Sequence, residues 1–515
     1  MVNIEPFLSL LIVGAIVGVA VKYIKLPYTI ALVIAGLMMG FAGIDPGIPL
    51  TPELIFLVFL PPLLFEAAIK LDIRNLRENI RTIVLLAIPG VILSTLIVGA
   101  FLHFLMALPL EIALLFGAMI SPTDPVSVVA LFKELGAPKK LSTIVEGESL
   151  FNDGTGVVLF AVILLLIQEA RPTILDGSYE FLKEVAGGLV VGGAFGFLAY
   201  QILKPIDDHL IEVMITLILA FGAFLVGDFI GVSGVVAVVT SGVIIGNYAT
   251  SSSMSPTTRL TLTSFWEFGA FVINSVLFVL IGLEIHNILP GEVGLGTAVM
   301  ASVYGIVAIL LARAIVVYGG LLGLRRWGEG MPRNWKHVVF WGGLRGSIPV
   351  ALALGLVGTT ATVQDANLLI VMTFGVVLFS LVIGGLTMKP LMKLWGFFPQ
   401  REIREKYESR VGKAICIEAA KKELKEMKAA GEISDAMFET LDNRLSQELA
   451  EASRDIARLA EEHEWLKNQQ LQKAEKRLLL ARRLAITRAR TSGIISEASA
   501  EQLVAEIDEE IERMG

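Results

Sequence analysis

The chain is poor in cysteine, in histidine and, over its first 400 residues, in charge. Its single cysteine, Cys416, excludes a disulfide within the chain and any metal site built from several thiolates. A Walker sequence, GxxxxGK[ST], is absent, so the sequence does not indicate ATP-driven work. No lysine or arginine precedes Lys22, and we therefore expect no cleavable secretory signal.

The charge that is present is placed unevenly. Residues 401–515 hold 21 of the 42 lysines and arginines and 24 of the 49 aspartates and glutamates. The whole chain is 55% hydrophobic, with a mean hydropathy of +0.72, which is rare for a soluble protein of this length. We therefore expect a membrane domain over 1–395 and a polar, helical domain over 396–515. The net charge of −7 argues against a nucleic-acid partner.

The apolar stretches predict an all-α polytopic membrane protein, since about 20 apolar residues span a bilayer as a helix. Basic residues collect in alternate loops, such as Lys70–Arg81 and Arg325–Lys336, and such loops are cytoplasmic. The opposite loops offer little beyond Arg171 and Lys183, so we expect the N-terminus outside and the tail in the cytoplasm. About thirteen spans are predicted, at 5–22, 27–42, 53–70, 82–106, 110–132, 142–168, 183–203, 210–228, 232–247, 264–285, 295–324, 336–357 and 366–389.

Two of these spans are poor continuous helices. The fifth contains Ser121–Pro125, where two prolines remove backbone donors, and the twelfth contains Gly342–Gly346 followed by Pro349. They lie seven spans apart, and this odd offset implies an inverted repeat. Paired interrupted helices are typical of a transporter's midplane site, although proline kinks used only for packing would give the same pattern.

Acidic and amide side chains at membrane depth indicate ion handling, because such groups are costly there. On the sixth span, Ser149 and Asp153 share one helical face and Asn152 lies beside them. The fifth span can add the carbonyl of Thr123, and the third span holds Glu66. These hard oxygen ligands suit Na⁺, Li⁺ or K⁺ rather than a transition metal, and no cofactor is expected.

One buried carboxylate can hold a proton or a cation but not both. If only the loaded forms cross between inward-facing and outward-facing states, this competition produces obligatory exchange. A single exchanging carboxylate, Asp153, beside an amide, Asn152, would trade one proton for one monovalent cation and move no net charge.

Several of the charged residues could instead have structural roles. Asp153 could instead be a buried ion-pair partner of Arg345, without a transport function. We expect Glu148 and Arg345 to form a structural pair that braces the two interrupted helices. Arg313 lies inside the eleventh span, where it pairs with a carboxylate or extends toward the membrane surface.

Two further carboxylates are ambiguous. Asp124 could bind the ion, but we favour a role in neutralising half-helix N-termini at the break. Glu66 could be a ligand, or it could face the lipid boundary or the tail.

Taken together, the motifs identify a resemblance to a known family. The segments Ser149–Asp153, Pro122–Pro125, Phe65–Glu66 and Gly342–Gly346 resemble those of the cation–proton antiporter-1 family, of the prokaryotic NhaP type. The likeness covers about residues 5–390. It implies the NhaA-like antiporter fold and a homodimer whose six-helix core domains move like elevators.

The resemblance also implies roles for single residues. The Asn152–Asp153 pair implies electroneutral exchange, and the family's bracing ion pair corresponds to Glu148 and Arg345. The implied ion ligands are Asp153, Ser149, Thr123 and Glu66.

The tail carries a faint internal repeat. Gly431 and Ser434 are matched by Gly493 and Ser496 later in the chain. In each copy the glycine indicates the end of a helix, and the serine indicates the N-cap of the next. Between them, 439–490 is one long helical pattern. This domain could sense pH, bind a regulator, stabilise a dimer or serve as a structural appendage.

The leading hypothesis is therefore a secondary Na⁺(Li⁺)/H⁺ antiporter, not an enzyme, in the plasma membrane of a prokaryote. Its expected partners are membrane lipid and a second copy. A K⁺/H⁺ antiporter of the same mechanism is the alternative. A gated cation channel is less favoured because it would need a continuous pore with filter carbonyls, and a non-transporting sensor is less favoured still.

Overall fold

The protein is described here from a computed structural model. It describes residues 5–24, 26–135, 137–168, 174–206, 208–250, 254, 256–288, 294–320, 331–356, 366–397, 399–492, 494–497, 499–500, 502–504 and 506–507. Within these ranges the regular structure is entirely helical, as predicted. Arg171, Arg325, Arg326 and Gly493, on which parts of the sidedness argument and of the tail repeat depend, lie outside the described residues.

The membrane part consists of seventeen α-helices within the described ranges, several of which continue into short π-helical turns. They are α1 (Glu5–Ile24), α2 (Tyr28–Phe41), α3 (Leu60–Lys70), α4 (Ile73–Ala87), α5 (Pro89–Met106), α6 (Leu110–Ile120), α7 (Val126–Leu135), α8 (Lys139–Gln168), α9 (Ile174–Leu203), α10 (His209–Phe229), α11 (Gly234–Ile244), α12 (Pro256–Ile288), α13 (Leu295–Ala314), α14 (Arg333–Trp341), α15 (Ser347–Leu354), α16 (Ala366–Phe379) and α17 (Gly385–Leu394).

Within the described residues, every predicted span falls on one or two of these helices and the π-helical turns beside them. Residues 321–324 of the eleventh span and residue 357 of the twelfth lie outside the described residues. In the described ranges, eight helical stretches are long and apolar enough to cross a membrane by themselves, among them α4 joined to α5. The others are shorter, such as α2 with 14 residues, or are interrupted. The polytopic all-α class is therefore confirmed, while the number of crossings stays a prediction.

The two predicted interruptions are present. Residues 121–125 separate α6 from α7, and residues 342–346 separate α14 from α15. At the first break, Pro122 and Pro125 have no amide hydrogen to continue the helical ladder. At the second break, three glycines in five residues offer little helical propensity.

Glycine allows other helices to approach closely around this region. A Cβ atom on Gly36 of α2 would lie 2.0 Å from the carbonyl oxygen of Val279, and one on Gly282 of α12 would lie 2.2 Å from that of Val33. The two helix backbones therefore touch through paired glycines. Helix α8 packs against α4, α6, α9 and α11, which places it centrally beside the first break.

Contacts divide the chain into two units, Met1–Phe397 and Phe398–Gly515, close to the boundary expected from composition. The second unit contains α18 (Pro399–Ala429), α19 (Asp435–Glu462) and α20 (Glu464–Thr491). Gly431 has a φ of +74°, and the Ser434 hydroxyl accepts from the Met437 amide at 3.4 Å. The expected helix end and N-cap are therefore present at this position.

The expectation of one continuous helix over 439–490 is wrong. His463 has an extended backbone, with φ −134° and ψ 94°, and separates α19 from α20. The break lets the chain fold back, so that Gln470 donates to the Tyr407 hydroxyl at 2.7 Å and Leu466 and Leu479 become buried. Burial of these leucines offsets the loss of helical continuity.

Candidate functional site

The two interrupted helices cross and touch at their breaks. The Asp124 amide of the first break donates to the Leu344 carbonyl of the second at 2.8 Å. Gly346 makes this approach possible, because a Cβ atom there would lie 2.2 Å from Oδ2 of Asp124. The sequence prediction that two distant breaks form one site is therefore supported by direct backbone contact.

Helix α8 holds the first break by hydrogen bonds to Thr123. Asn152 donates from Nδ2 to Oγ1 of Thr123 at 2.8 Å, and its Oδ1 accepts from the Thr123 amide at 3.2 Å. The Ser149 hydroxyl donates to the Thr123 carbonyl. All three side chains are buried, so these bonds form away from water. They fix the orientation of the opened backbone.

The Asp153 carboxylate lies next to this contact. It follows Asn152 on α8, is half-buried and interacts electrostatically with Asp124. In the described part of the chain, no lysine, arginine or histidine forms an ion pair with Asp153. Asp124 has a structural partner, since its Oδ1 accepts from the Val126 amide at 2.9 Å and so caps the start of α7. This is the contact expected for neutralising a half-helix N-terminus.

The expected ion pair between Glu148 and Arg345 is not observed. Glu148 is instead paired through both carboxylate oxygens with Arg313 of α13, whose Nη2 also donates to the Val339 carbonyl at 2.9 Å. Gly343 makes room for this arginine, because a Cβ atom there would lie 2.8 Å from its Nε. The sequence predicts either a carboxylate partner for Arg313 or an extension toward the membrane surface, and the partner is Glu148. The interior place of Arg313 in the eleventh span indicated a carboxylate partner, but not which carboxylate.

Arg345 is bound by its own break. Its Nη1 donates to the Gly343 carbonyl at 2.6 Å, and its backbone amide donates to the Ser380 hydroxyl at 3.0 Å. The alternative in which Asp153 pairs with Arg345 is therefore not what the structure contains. Arg345 belongs to the second break, and within the described residues it forms no ion pair with a carboxylate of the first.

Glu66 has a different partner from the other candidate ligands. Its carboxylate forms an ion pair with Lys70, one turn later on α3, and Lys70 Nζ also lies 2.7 Å from Oε1 of Glu267. Among the described contacts, no hydrogen bond joins Glu66 to Thr123 or Ser149. The structure brings Ser149, Asn152 and Thr123 into mutual contact and leaves Glu66 in a separate ion-pair cluster.

The chemistry of the site is that of hard oxygen ligands. The Ser149 hydroxyl meets the Thr123 carbonyl beside an opened helix, where a backbone carbonyl is released from the helical ladder, and Asp153 lies one turn further along α8. Oxygen donors of this kind suit alkali cations.

The sequence of the chain is similar to those of a known protein family. The model of the transmembrane sodium/hydrogen exchanger family matches residues 7–394. The chain is 39% identical to the Na⁺/H⁺ antiporter NhaG of Bacillus atrophaeus over 99% of this chain and 97% of that relative. It is 36% identical to the Na⁺/H⁺ antiporter NhaP of Pseudomonas aeruginosa over 72% of this chain and 92% of that relative.

A solved structure shares the fold. The sodium proton antiporter MjNhaP1 of Methanocaldococcus jannaschii, determined at pH 8, superposes with a TM-score of 0.64 and 23% identity, covering 76% of this chain and 98% of that one. The likeness to this structure concerns the fold, and the family assignment rests on the match over 7–394. The chain belongs to the sodium/hydrogen exchanger family.

Proposed function

We propose that the protein is a Na⁺/H⁺ antiporter that exchanges one Na⁺ or Li⁺ for one H⁺ through Asp153. The observation that carries the proposal is the crossing of the two breaks beside α8, with Asn152 and Ser149 bound to Thr123. The relatives named above as Na⁺/H⁺ antiporters support Na⁺ as the cation.

Asp153 would bind either the proton or the cation. When the proton leaves, the carboxylate becomes an anion in a half-buried site. A dehydrated Na⁺ would compensate this charge, together with the Thr123 carbonyl and the Ser149 hydroxyl. The Ser149 hydroxyl can rotate its proton away from Thr123 and present a lone pair to the cation. Asn152 stays neutral and keeps the backbone of the break in place.

The stoichiometry follows from the number of exchanging charges. One carboxylate loads one proton or one monovalent cation, so each half-cycle carries the same charge in both directions. A cycle of this kind is electroneutral. We place Glu66 as a further ligand on the family resemblance, and it would have to leave its ion pair with Lys70 to serve as one.

The assembly and setting belong to the same proposal. We infer a homodimer in the plasma membrane of a prokaryote, with the N-terminus outside, the 398–515 unit in the cytoplasm and an elevator-like movement of the core. The loops assigned to the outer side offer few lysines and arginines beyond Arg171 and Lys183, which supports this orientation.

The decisive experiment uses the purified full-length chain in proteoliposomes with an imposed pH gradient and a lumenal pH dye. Na⁺, Li⁺ or K⁺ is added, with and without valinomycin and K⁺ to clamp the voltage. The variants are Asp153→Asn and the matched control Asp208→Asn. Asp208 is an exposed N-cap of α10 that accepts from the Leu210 amide at 2.9 Å, and asparagine caps as well as aspartate.

The proposal requires that Na⁺ collapse the gradient at the same rate with and without the clamp. It also requires that Asp153→Asn be silent while Asp208→Asn exchanges like the wild type. A response to K⁺ but not to Na⁺ would assign the K⁺/H⁺ alternative. Cation flux without proton movement would indicate a channel instead, and exchange by Asp153→Asn would remove Asp153 from the site.

The pH dependence provides a second test. Because protons and Na⁺ compete for Asp153, the apparent KM for Na⁺ should rise as the pH falls, approaching tenfold per pH unit once the proton-bound form predominates. The maximal rate at saturating Na⁺ would change less than KM. A KM that stays constant across two pH units would contradict competition at a single carboxylate.

A further inference from the structure

A small cavity at the second break, here called the arginine cavity, is lined by two buried guanidinium groups. Its volume is about 30 Å³, and Arg313, Arg345, Gly343, Trp341 and Ser380 contribute to its wall. This is larger than the roughly 10–15 Å³ that one water molecule requires. The cavity is distinct from the proposed cation site, because none of Ser149, Asn152 and Asp153 lines it.

Each of the two arginines has one side-chain N–H group without a hydrogen-bond partner. The Nε atoms of Arg313 and Arg345 are buried and have no hydrogen-bond acceptor. Arg313 uses its other nitrogens on Glu148 and the Val339 carbonyl. Arg345 uses Nη1 on the Gly343 carbonyl. A buried N–H without an acceptor is costly, and more so when it is part of a charged group.

The charges of the side chains around the cavity also leave a net positive charge. Arg313 and Glu148 neutralise each other, but Arg345 forms no ion pair with any carboxylate of the described chain. The charged groups that act on it are Arg313, of like sign, and Glu148, which is already paired. Arg345 is only 3% exposed, so water does not screen the remaining positive charge. A buried charge is normally compensated by an opposite charge nearby.

We propose that the arginine cavity binds a small monovalent anion of the size of chloride. Such an anion lies beside the guanidinium group of Arg345 and compensates its charge. A chloride or bromide ion fits such a space and carries one negative charge, which matches the single uncompensated charge of Arg345, whereas sulfate carries two. Water would fill the space and accept one N–H bond from each arginine, but it would leave the charge uncompensated, which is why the geometry favours an anion.

The bound anion acts as a structural element of the second break. It connects α13, which carries Arg313, to the loop that carries Arg345, and thus fixes the partner against which the first break crosses. This role is independent of which cation the protein transports. It can therefore be tested without measuring transport.

The test is thermal unfolding of the purified full-length chain at constant Na⁺, with gluconate replaced stepwise by chloride up to about 150 mM. Chloride should raise the unfolding temperature by about 2–4 °C in a saturable manner, because a ligand that binds only the folded state stabilises it. Bromide should act like chloride, and sulfate should not. Arg345→Gln should abolish the saturable rise, while Arg74→Gln, at an exposed position of α4, should retain it.

Two outcomes would overturn the proposal. One is that chloride and gluconate give the same unfolding temperature for the wild type, which would assign water to the cavity. The other is that the chloride effect persists in Arg345→Gln, which would place the anion elsewhere. If Arg345→Gln does not fold, anomalous diffraction from wild-type crystals grown in bromide decides the question. A bromide peak in the arginine cavity supports the site, and its absence overturns it.

Discussion

The two interrupted helices cross at one point but are held open by different means. The first break is held by neutral hydrogen bonds from α8, through Asn152 and Ser149 to Thr123. The second break is held by charge and by small residues, with Arg345 bonded to a carbonyl of its own loop. Asp124 thus lies at the first break, and Arg345 lies at the second.

Helix α8 serves both breaks with different faces. Glu148 and Ser149 are consecutive, so their side chains point about 100° apart around the helix. Glu148 turns to Arg313, and Ser149 turns to Thr123. Arg313 is therefore neutralised by Glu148, and Arg345 is bonded to its own loop. Neither arginine pairs with Asp153, where it would compete with the transported cation. A cation site of this kind therefore needs a carboxylate that does not already form an ion pair with an arginine.

The largest effect should follow from removing the charge that supports the second break. Glu148→Gln would leave Arg313 and Arg345 as two buried cations without a carboxylate. Breaking a buried ion pair in this way costs about 3–5 kcal/mol. We expect a strong fall in the yield of folded protein and in the unfolding temperature, measured after extraction in detergent.

A matched control is Glu180→Gln, which removes a partially exposed pair with Lys183 at 2.9 Å. Such pairs contribute about 0–1 kcal/mol, so this variant should unfold near the wild-type temperature. The double variant Glu148→Leu with Arg313→Met should recover part of the lost stability, since no unpaired charge remains from that pair. Equal losses for Glu148→Gln and Glu180→Gln would show that the second break does not depend on this charge.

The next effect concerns the contact between the two breaks. Gly346→Ala would place a methyl group 2.2 Å from Oδ2 of Asp124. The carboxylate cannot move freely, because its other oxygen, Oδ1, accepts from the Val126 amide. Overpacking of this kind costs about 1–3 kcal/mol. We expect a loss of exchange of at least about tenfold in the pH-dye assay, because the crossing would be displaced.

Gly193→Ala on α9 is the appropriate control, because nothing lies within 4 Å of the added atom. It should retain wild-type exchange and gain slightly in helix stability. If Gly346→Ala exchanges as well as Gly193→Ala, the close crossing is not needed for transport.

Part of this arrangement could be predicted from the sequence because it depends on local chemistry. Pro122 and Pro125 must interrupt a helix wherever it packs, and the 3.6-residue period places Ser149 and Asp153 on one face. Asn152 directly precedes Asp153, so its place beside this carboxylate could be predicted as well. Such features need no knowledge of distant contacts.

The partner choices could not be predicted, because they depend on which helices meet. Arg313 and Arg345 are both interior arginines in the sequence, and only the packing of α13 assigns Glu148 to Arg313. The same applies to Glu66, whose ion pair with Lys70 is local but was not anticipated. In the tail, the helical pattern continues through His463, and only the burial obtained by folding back explains the break there.

A smaller effect is expected at the first break. Asn152→Ala removes both hydrogen bonds to Thr123, one to its amide and one to its hydroxyl. Each is worth about 1 kcal/mol, and the buried Thr123 amide would be left without an acceptor. We expect the KM for Na⁺ to rise about tenfold or more as the carbonyl loses its orientation, with the protein still folded. Asn334→Ala, at the start of α14, serves as the control, and equal KM values for the two variants would contradict this role.

The smallest effect tests whether the ligands of the first break extend to α3. If Glu66 binds the cation, Glu66→Gln should raise the KM for Na⁺ several-fold, while Lys70→Met should lower it, because Na⁺ then no longer displaces the ammonium group that pairs with Glu66. Glu267→Gln is the control, since it removes only the other, more exposed partner of Lys70 and should leave KM within about twofold. The opposite signs separate a ligand from a structural ion pair. If Glu66 only stabilises α3, both variants would lower the unfolding temperature slightly and neither would change KM, and the cation ligands would then all lie at the first break and on α8.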